Sequence, residues 1–137
     1  MKTKRGICAI IFSNDLFLIL KRMGTWHGWE FVKGAIENGE TDEEALKREV
    51  KEETGLDVKE FFRVEYQTIF NNKGTNISNE VFLVRLDSTP KINLEALEHP
   101  EHNDYKWASS EEVLSTLTWD EDRKAFQKAL QLVQKLK

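Results

Sequence analysis

Apolar residues in the first part of the chain fall in short continuous runs that are typical of buried β-strands. Residues 7–12 and 16–20 are entirely apolar, and the polar segment Ser13-Asn14-Asp15 between them predicts a hairpin. Further strand-like segments follow at residues 29–31, 61–70, 80–86 and 105–108. The turn-forming cluster Asn71-Asn72-Lys73-Gly74 lies between two of these segments. This pattern predicts a sheet built from several short strands.

A helix is predicted between the third and fourth of these strands. Thr41 is a suitable N-cap, and Glu44 three residues later completes a capping box. Leu46 and Val50 form an apolar pair at i, i+4 that can face a core. Gly55 stands where a left-handed residue would end the helix.

Two more helices are predicted near the end of the sequence. Ser109 and Glu112 form a second capping box, which begins a short helix that reaches about residue 117. The last helix begins near Asp120 and has a core-facing apolar stripe, which consists of Phe126, Leu130, Val133 and Leu136. Strands around one internal helix, followed by terminal helices, predict an α+β sandwich in which residues 1–137 form one domain.

Length and composition agree with a small enzyme and argue against several other classes. The chain has 137 residues, of which 39% are hydrophobic and 32% charged, as in ordinary globular domains. A net charge of −4 gives no reason to expect stable binding to nucleic acid or to an anionic membrane. The longest apolar runs are far too short to span a bilayer, and no secretory signal is recognisable, so the expected location is the cytoplasm. Cys8 is the single cysteine, and we expect it to be a small buried side chain.

The predicted internal helix carries three carboxylates on one face. Glu49, Glu52 and Glu53 stand at i, i+3 and i+4, a spacing at which like charges repel and weaken a helix. A bound cation would explain the cluster, and hard oxygen ligands suit Mg²⁺ or Mn²⁺. Arg48 lies next to Glu49 and four residues before Glu52, where it can hold these carboxylates in place.

The same segment contains a longer pattern, GAIENGETDEEALKREVKEETGL, at residues 34–56. It matches the Nudix box, G-x5-E-x7-R-E-U-x-E-E-x-G-U with U aliphatic, at every fixed position. At average residue usage, such a match arises by chance on the order of 10⁻⁸ times per window. The alternative is a solvated, salt-bridged surface helix, which has no need of Gly34, Arg48 and Gly55 in register. The chain is therefore identified as a member of the Nudix hydrolase family.

The resemblance implies a Nudix α/β/α sandwich with a mixed central sheet and the hydrolysis of a nucleoside diphosphate linked to another moiety. It implies Mg²⁺ or Mn²⁺ as cofactor, with Glu52 and Glu53 as metal ligands and Glu49 as a ligand or the general base. A backbone carbonyl near Gly34 is expected to add another oxygen ligand. Arg48 and Glu40 are expected to orient these ligands without reacting. Because it contacts the ligands, Arg48 is included among the predicted catalytic residues.

The flanks of the box narrow the substrate class. Lys33-Gly34 enters the box, and residues 101–107 read E-H-x-x-Y-x-W. This combination resembles the asymmetrically cleaving diadenosine tetraphosphate hydrolases. Two positions depart from that pattern, since Val32 and Ala35 stand where proline and histidine are frequent, and Lys73-Gly74-Thr75 only partly matches its Lys-Pro-Lys-like loop. The expected reaction converts diadenosine tetraphosphate to ATP and AMP in a monomer or homodimer.

By the same resemblance, Lys33 contacts phosphate, Tyr105 stacks on the base, and Glu101 or Glu98 adds a carboxylate to the metal cluster. Trp29, together with Trp26, is a candidate to line the nucleotide site. Each of these residues also has an ordinary interpretation, because aromatic residues near strands are usually packing residues and an exposed lysine is common. The three histidines lack metal-ligand spacing and are predicted to be surface or loop residues: His27, His99 and His102.

Two other functions remain open from the sequence. The first keeps the fold and changes the substrate, to a nucleoside triphosphate, including oxidised nucleotides, or to the 5′ end of RNA. The absence of a basic stripe counts against long RNA. The second is a nucleotide-sensing module without catalysis, which would be expected to lose a box carboxylate. This chain keeps Glu49, Glu52 and Glu53.

Overall fold

A computed structural model describes residues 2–24 and 27–137. It contains seven strands and three α-helices within that part of the chain. The strands are β1 (Lys2–Ser13), β2 (Leu16–Arg22), β3 (Gly28–Glu30), β4 (Val32–Ala35), β5 (Glu60–Asn72), β6 (Thr75–Arg85) and β7 (His102–Ala108). The helices are α1 (Asp42–Thr54), α2 (Ser110–Thr116) and α3 (Asp120–Leu136), and a short 3₁₀ turn spans Leu94–Ala96.

The strands form one mixed sheet in which two different strands, β2 and β4, pair with different parts of β1. The main order is β3-β2-β1-β6-β5, in which β1 and β6 are parallel and the other pairs antiparallel. β4 pairs with β1 from Gly6 to Ala9, whereas β2 pairs with β1 only at the hairpin end of that strand. β2 then continues away from β1 and pairs with β3 and β7. The branch that contains β4 therefore separates from the branch that contains β2, β3 and β7. Glu30 at the end of β3 and Lys33 in β4 lie on either side of this separation.

Helices cover both faces of the sheet, as the sequence predicted. α1 packs on one face over a core that contains Ile7, Leu20 and Phe82. α2 and α3 cover the other face, over a core that contains Phe31 and Phe126. The predicted α/β/α sandwich with a mixed sheet is thus confirmed.

Several predicted element bounds need correction. The hairpin strands β5 and β6 extend to residues 72 and 75, beyond the apolar runs, because β1 continues to pair with β6 as far as Lys2 opposite Thr75. β7 begins at His102, three residues before the predicted start. Only half of the second capping box forms: Ser109 accepts from the Glu112 N–H, while the Glu112 carboxylate accepts from Lys106.

Two smaller expectations can also be compared with the structure. Cys8 lies in the centre of β1 and is fully buried, and burial raises the pKa of its thiol far above the ordinary value. None of the helices in the described part of the chain is long and apolar enough to cross a membrane.

Candidate active site

The box forms a loop and helix whose ends are fixed by local hydrogen bonds. Thr41 Oγ1 accepts from the Glu44 N–H, and the Glu44 carboxylate accepts from the Thr41 N–H, so the capping box is complete. Gly55 adopts a left-handed conformation, with φ of 79°, and donates its N–H to Lys51 O. These contacts fix where α1 begins and ends, while the burial of Ala45, Leu46 and Val50 against the sheet determines on which side of the helix its glutamates lie.

Arg48 ties the loop before α1 to the glutamates of the helix. Its guanidinium donates to both oxygens of Glu40, at 2.6 and 2.9 Å, and to Ala35 O at 2.8 Å. The same group donates to Glu49 at 2.7 Å and to Glu52 at 3.2 Å. Hydrogen bonding from Arg48 holds the pKa of Glu40 at about 2. Arg48 therefore connects three carboxylates that would otherwise repel one another.

Gly34 allows the Glu49 carboxylate to lie directly against the β4 backbone. A Cβ atom at position 34 would stand 1.9 Å from Glu49 Cδ and 2.2 Å from both carboxylate oxygens. The requirement for glycine here comes from this close approach, because the backbone of Gly34 is not left-handed.

Glu53 is the most unusual carboxylate of the cluster. Only 6% of the residue is exposed, and no N–H or hydroxyl group donates to either of its oxygens, so its hydrogen-bonding neighbour is the carboxyl group of Glu49. Burial raises the pKa of Glu53 well above its usual range, and the hydrogen bond with Glu49 and the charges of Glu49, Glu101 and Glu30 raise it further. An unpartnered buried carboxylate is costly, so an interaction with a cation at this position would remove a large penalty.

The glutamates are not equivalent, and they are not gathered into a ready-made metal cage. Glu49 and Glu53 are both buried, whereas 57% of the Glu52 side chain is exposed and its carboxylate is held by Arg48. Among residues 2–24 and 27–137, no three side chains of His, Cys, Asp or Glu converge closely enough to hold a metal ion. The unpartnered oxygens of Glu53 beside Glu49 nevertheless have the hard-oxygen chemistry that suits Mg²⁺ or Mn²⁺.

An open cleft of about 670 Å³ lies along the acidic face of α1. The three box glutamates form one wall, and the segment after β6 forms the other. That second wall contributes Lys91, Asn93, Glu98, His99 and Glu101. The acidic face of α1 thus borders a space large enough for a polyphosphate chain.

Next to Glu53 lies a group of charged and polar side chains that the sequence did not indicate, of which Glu30 and His102 are buried. Glu30, at the end of β3, accepts from His102 Nε2 at 2.8 Å and from Arg22 at 3.2 Å. Arg22 also approaches Glu101 at 3.6 Å. Burial would raise the pKa of Glu30, but the hydrogen bond from His102 and the charges of Lys33 and Arg22 outweigh it, and the net pKa is lowered.

The prediction that all three histidines are surface or loop residues is wrong for His102. That residue is 2% exposed and begins β7, whereas His27 and His99 are exposed as predicted. The sequence signal that could have located His102 is its place directly after Glu101 in the E-H-x-x-Y-x-W segment. Periodicity could not reveal its burial, because an irregularity in strand pairing turns it inward.

Lys33 forms a buried ion pair instead of extending into solvent as an unpaired lysine. Its Nζ lies 2.8 Å from Asp122 Oδ2, in α3, and 3.9 Å from Glu30. The ammonium group also lies over the rings of Phe70 and Trp119, at 4.4 and 5.2 Å from the ring centroids. Asp122 is fully buried, and burial raises its pKa against the opposing effect of Lys33. To contact a phosphate group, Lys33 would therefore have to leave the Asp122 carboxylate or contact both groups at once.

The aromatic candidates lie on opposite faces of the sheet. Tyr105 is half-buried and packs with Trp107 against the core under α1. Trp107 also donates from Nε1 to Pro90 O at 3.0 Å. Trp29 packs against the core under α2 and α3, with Lys106 Nζ 4.9 Å from its ring centroid. The structure therefore does not bring Trp29 and Tyr105 together, and Trp26 lies outside the described residues.

The family model of the NUDIX domain matches residues 2–129, and the chain belongs to the Nudix hydrolase family. It is 30% identical to an RNA pyrophosphohydrolase of a Nitratiruptor species, in a match that covers 98% of this chain and 97% of the relative. The fold is similar to that of a C. elegans Ap4A hydrolase, with a TM-score of 0.81, 23% identity and coverage of 95% and 97%. It is also similar to the E. coli dihydroneopterin triphosphate pyrophosphohydrolase, with a TM-score of 0.79, 24% identity and coverage of 93% and 97%.

The raised pKa of Glu53 predicts how the stability of the metal-free protein depends on pH. The folded state retains the Glu53 proton at pH values where the unfolded chain, with an ordinary pKa of 4.5, has lost it. The associated stability is therefore complete below that ordinary pKa and is lost as pH rises through the folded-state pKa. Urea unfolding in EDTA from about pH 5 to about pH 8 should show a falling free energy of unfolding.

Glu53→Gln is the control for this pH dependence. The variant should lose the part of the slope that Glu53 causes, while the part due to the buried Asp122 remains. Identical slopes for the wild type and Glu53→Gln would contradict the assignment. The charged and titratable groups that face Glu53 are unchanged in this comparison: Glu49, Glu30, Glu101 and His102.

Proposed function

We propose that the protein hydrolyses dinucleoside polyphosphates by attack of water on phosphorus, with diadenosine tetraphosphate cleaved to ATP and AMP. The hydrolytic part of this proposal is supported mainly by the buried Glu53 carboxyl group, which has no positively charged or N–H partner and lies beside Glu49 at the acidic wall of the cleft. A phosphoanhydride is densely negative and repels a nucleophile. A site with unpartnered carboxylates can therefore receive such a substrate only together with cations.

The proposed cofactor is Mg²⁺ or Mn²⁺, and the residues present fit such an ion. Glu49 and Glu53 would hold it, with Glu52 and Glu101 at the edge of the cleft and the carbonyl of Gly34 as a further oxygen. Such an ion, when bound, neutralises phosphate charge and lowers the pKa of a coordinated water.

The contribution of the protein itself is to position these oxygens. Arg48 fixes Glu49 through a 2.7 Å hydrogen bond, and Gly34 leaves the space that the Glu49 carboxylate occupies. The general base is proposed to be one of the box glutamates, with Glu49 the residue that the family resemblance favours. Arg48 is proposed to orient these groups without taking a proton.

The choice of dinucleoside polyphosphates rests on the flanks of the box. Glu101 and His102 of the E-H-x-x-Y-x-W segment lie next to Glu53, and Tyr105 lies three residues further along β7. Lys33 is proposed to contact phosphate by leaving Asp122, and Tyr105 to stack on a base from its half-exposed edge. Such a nucleotide substrate agrees with the expected cytoplasmic location.

Product analysis tests this substrate class. With Mg²⁺, diadenosine tetraphosphate should give ATP and AMP, because a site that holds one nucleoside end and a fixed run of phosphates presents one phosphorus to water. In ¹⁸O-labelled water, the label should enter only one of the two products. Formation of two ADP, or equal labelling of both products, would contradict the proposal.

The second candidate is an RNA 5′-pyrophosphohydrolase, and the similarity to the Nitratiruptor relative favours it. The same carboxylates would act on a 5′-triphosphate end. The net charge of −4 provides little general attraction for a long RNA backbone. Both substrates belong in one panel with several nucleoside triphosphates under identical conditions, where a much higher kcat/KM for triphosphorylated RNA would favour this second function. Binding without turnover of any substrate would favour a nucleotide sensor.

A further inference from the structure

The imidazole of His102 lies between two buried carboxylates, Glu30 and the box residue Glu53. Its Nε2 is 2.8 Å from Glu30 Oε2, and its Nδ1 is 3.9 Å from Glu53 Oε1. The first distance is a hydrogen bond, and the second is about 1 Å longer than one. The hydrolytic chemistry outlined above assigns no role to this ring.

An irregularity in strand pairing directs His102 to this place. Lys21 lies opposite Asp104 and Arg22 opposite His102, so Asn103 has no partner on β2. Tyr105 faces the core under α1, and regular alternation would therefore send the side chain of residue 103 to that face. The β-bulge shifts the alternation by one residue and turns His102 toward α1.

Glu30 determines how the imidazole presents its second nitrogen. A carboxylate accepts hydrogen bonds and does not donate them, so Nε2 is the donor in the contact with Glu30. Arg22 and Lys33 lie near the same carboxylate and hold Glu30 in place. With Nε2 anchored, the ring has one orientation, in which Nδ1 faces Glu53.

Glu53 is fixed by fewer groups than Glu49. Glu49 accepts from Arg48 and lies against the backbone at Gly34, whereas no N–H or hydroxyl group donates to Glu53 and its hydrogen-bonding neighbour is Glu49 itself. We infer that His102 is a positioning residue, held by Glu30, that limits rotation of the Glu53 carboxyl group so that it stays directed toward Glu49. This inference rests on the proposed function, since the orientation of Glu53 matters only if Glu53 binds a cation.

The tautomer of His102 in the metal-free wild type tests the first half of the inference. A long-range ¹⁵N–¹H correlation spectrum should show a proton on Nε2, and Glu30→Gln should weaken that preference, because glutamine can donate as well as accept. A wild-type spectrum with Nε2 unprotonated would overturn the inference. This measurement needs neither a metal ion nor activity.

Binding of Mn²⁺, followed by electron paramagnetic resonance of the free ion, tests the second half. In His102→Gln the amide can still donate to Glu30, but no atom replaces Nδ1 beside Glu53. The Mn²⁺ dissociation constant should rise about 10-fold or more, as for other residues that orient metal ligands. At saturating metal, kcat should fall less than the affinity does.

Exposed His27 provides the matched control, because His27→Gln makes the same chemical change outside the site. Wild-type Mn²⁺ affinity in folded His102→Gln, or an equal loss in His27→Gln, would overturn the inference. Glu53→Gln distinguishes failure of the positioning role of His102 from failure of the proposed cation site. If it loses Mn²⁺ binding while His102→Gln does not, only the positioning role fails, and if the wild type binds no Mn²⁺, the proposed function fails.

Discussion

Replacement of Glu53 by glutamine should reduce turnover by more than about 100-fold, beyond the range expected when only an outer partner of a metal site is lost. Glutamine keeps the size of the side chain and its capacity for hydrogen bonding, but it removes the charge that would bind a cation. The fold should survive, because no N–H or hydroxyl group depends on the Glu53 oxygens and the amide of glutamine can still donate to Glu49. Steady-state hydrolysis of diadenosine tetraphosphate with Mg²⁺ provides the measurement.

The same substitution should raise the melting temperature in EDTA. Burial and neighbouring carboxylates disfavour a charge at position 53, and glutamine carries none. Glu43→Gln is the matched control, since Glu43 lies in the first turn of the same helix and is exposed. Wild-type turnover in Glu53→Gln, Glu52→Gln and Glu49→Gln alike would contradict a catalytic role of the box.

Gly34→Ala should reduce turnover about 100-fold while leaving the protein folded, since a misplacement of about 1 Å at a reacting group has effects of this size. The added methyl group would stand 1.9 Å from Glu49 Cδ, so the carboxylate must move. Glu49 is the end of a flexible side chain, and the backbone at position 34 is not left-handed, so the movement costs little stability. The expected result is lost activity with a melting temperature near that of the wild type.

Ala35→Ser is the control for the Gly34 substitution. It adds one heavy atom to the next residue of β4, which is exposed. Crystal or NMR data on Gly34→Ala should show a displaced Glu49 carboxylate. Unchanged kcat in Gly34→Ala would mean that the position of Glu49 against the β4 backbone is not needed for catalysis.

The box could be found from the sequence because its parts are close together in the chain. Residues 34–56 contain the loop, the cap, the glutamates and the terminating glycine, and the hydrogen bonds between them are mostly local. Helical spacing alone places Glu49 and Glu53 on one face. The same local rules predicted the helices and strands of an α+β sandwich, whereas the α/β/α layering was implied by the resemblance to the Nudix family.

The buried charges near the box could not be found in this way. Glu30 and His102 are 72 residues apart, and Lys33 and Asp122 are 89 residues apart. Asp122 follows Asp120 and Glu121 in the first turn of α3, where acidic residues are ordinary. Asp122 stands four residues before Phe126, on the core-facing side of α3, but an acidic residue type gives no reason to expect burial there. Burial of His102 accompanies a β-bulge, which the alternation of residues does not reveal.

Cation binding by Glu49 and Glu53 can be tested by calorimetric titration of the metal-free protein with Mn²⁺ at about pH 6. The titration is done in two buffers that differ in ionisation enthalpy, so that any protons released on binding are counted. Because burial and neighbouring carboxylates raise the pKa of Glu53, the folded protein holds the Glu53 proton to higher pH than an ordinary glutamate does, and cation binding there should release it. Wild type should therefore bind Mn²⁺ with measurable proton release, and Glu53→Gln should lose both the affinity and the proton release. Tight binding without proton release, or unchanged affinity in Glu53→Gln, would contradict the assignment of the buried Glu49 and Glu53 pair as the cation site.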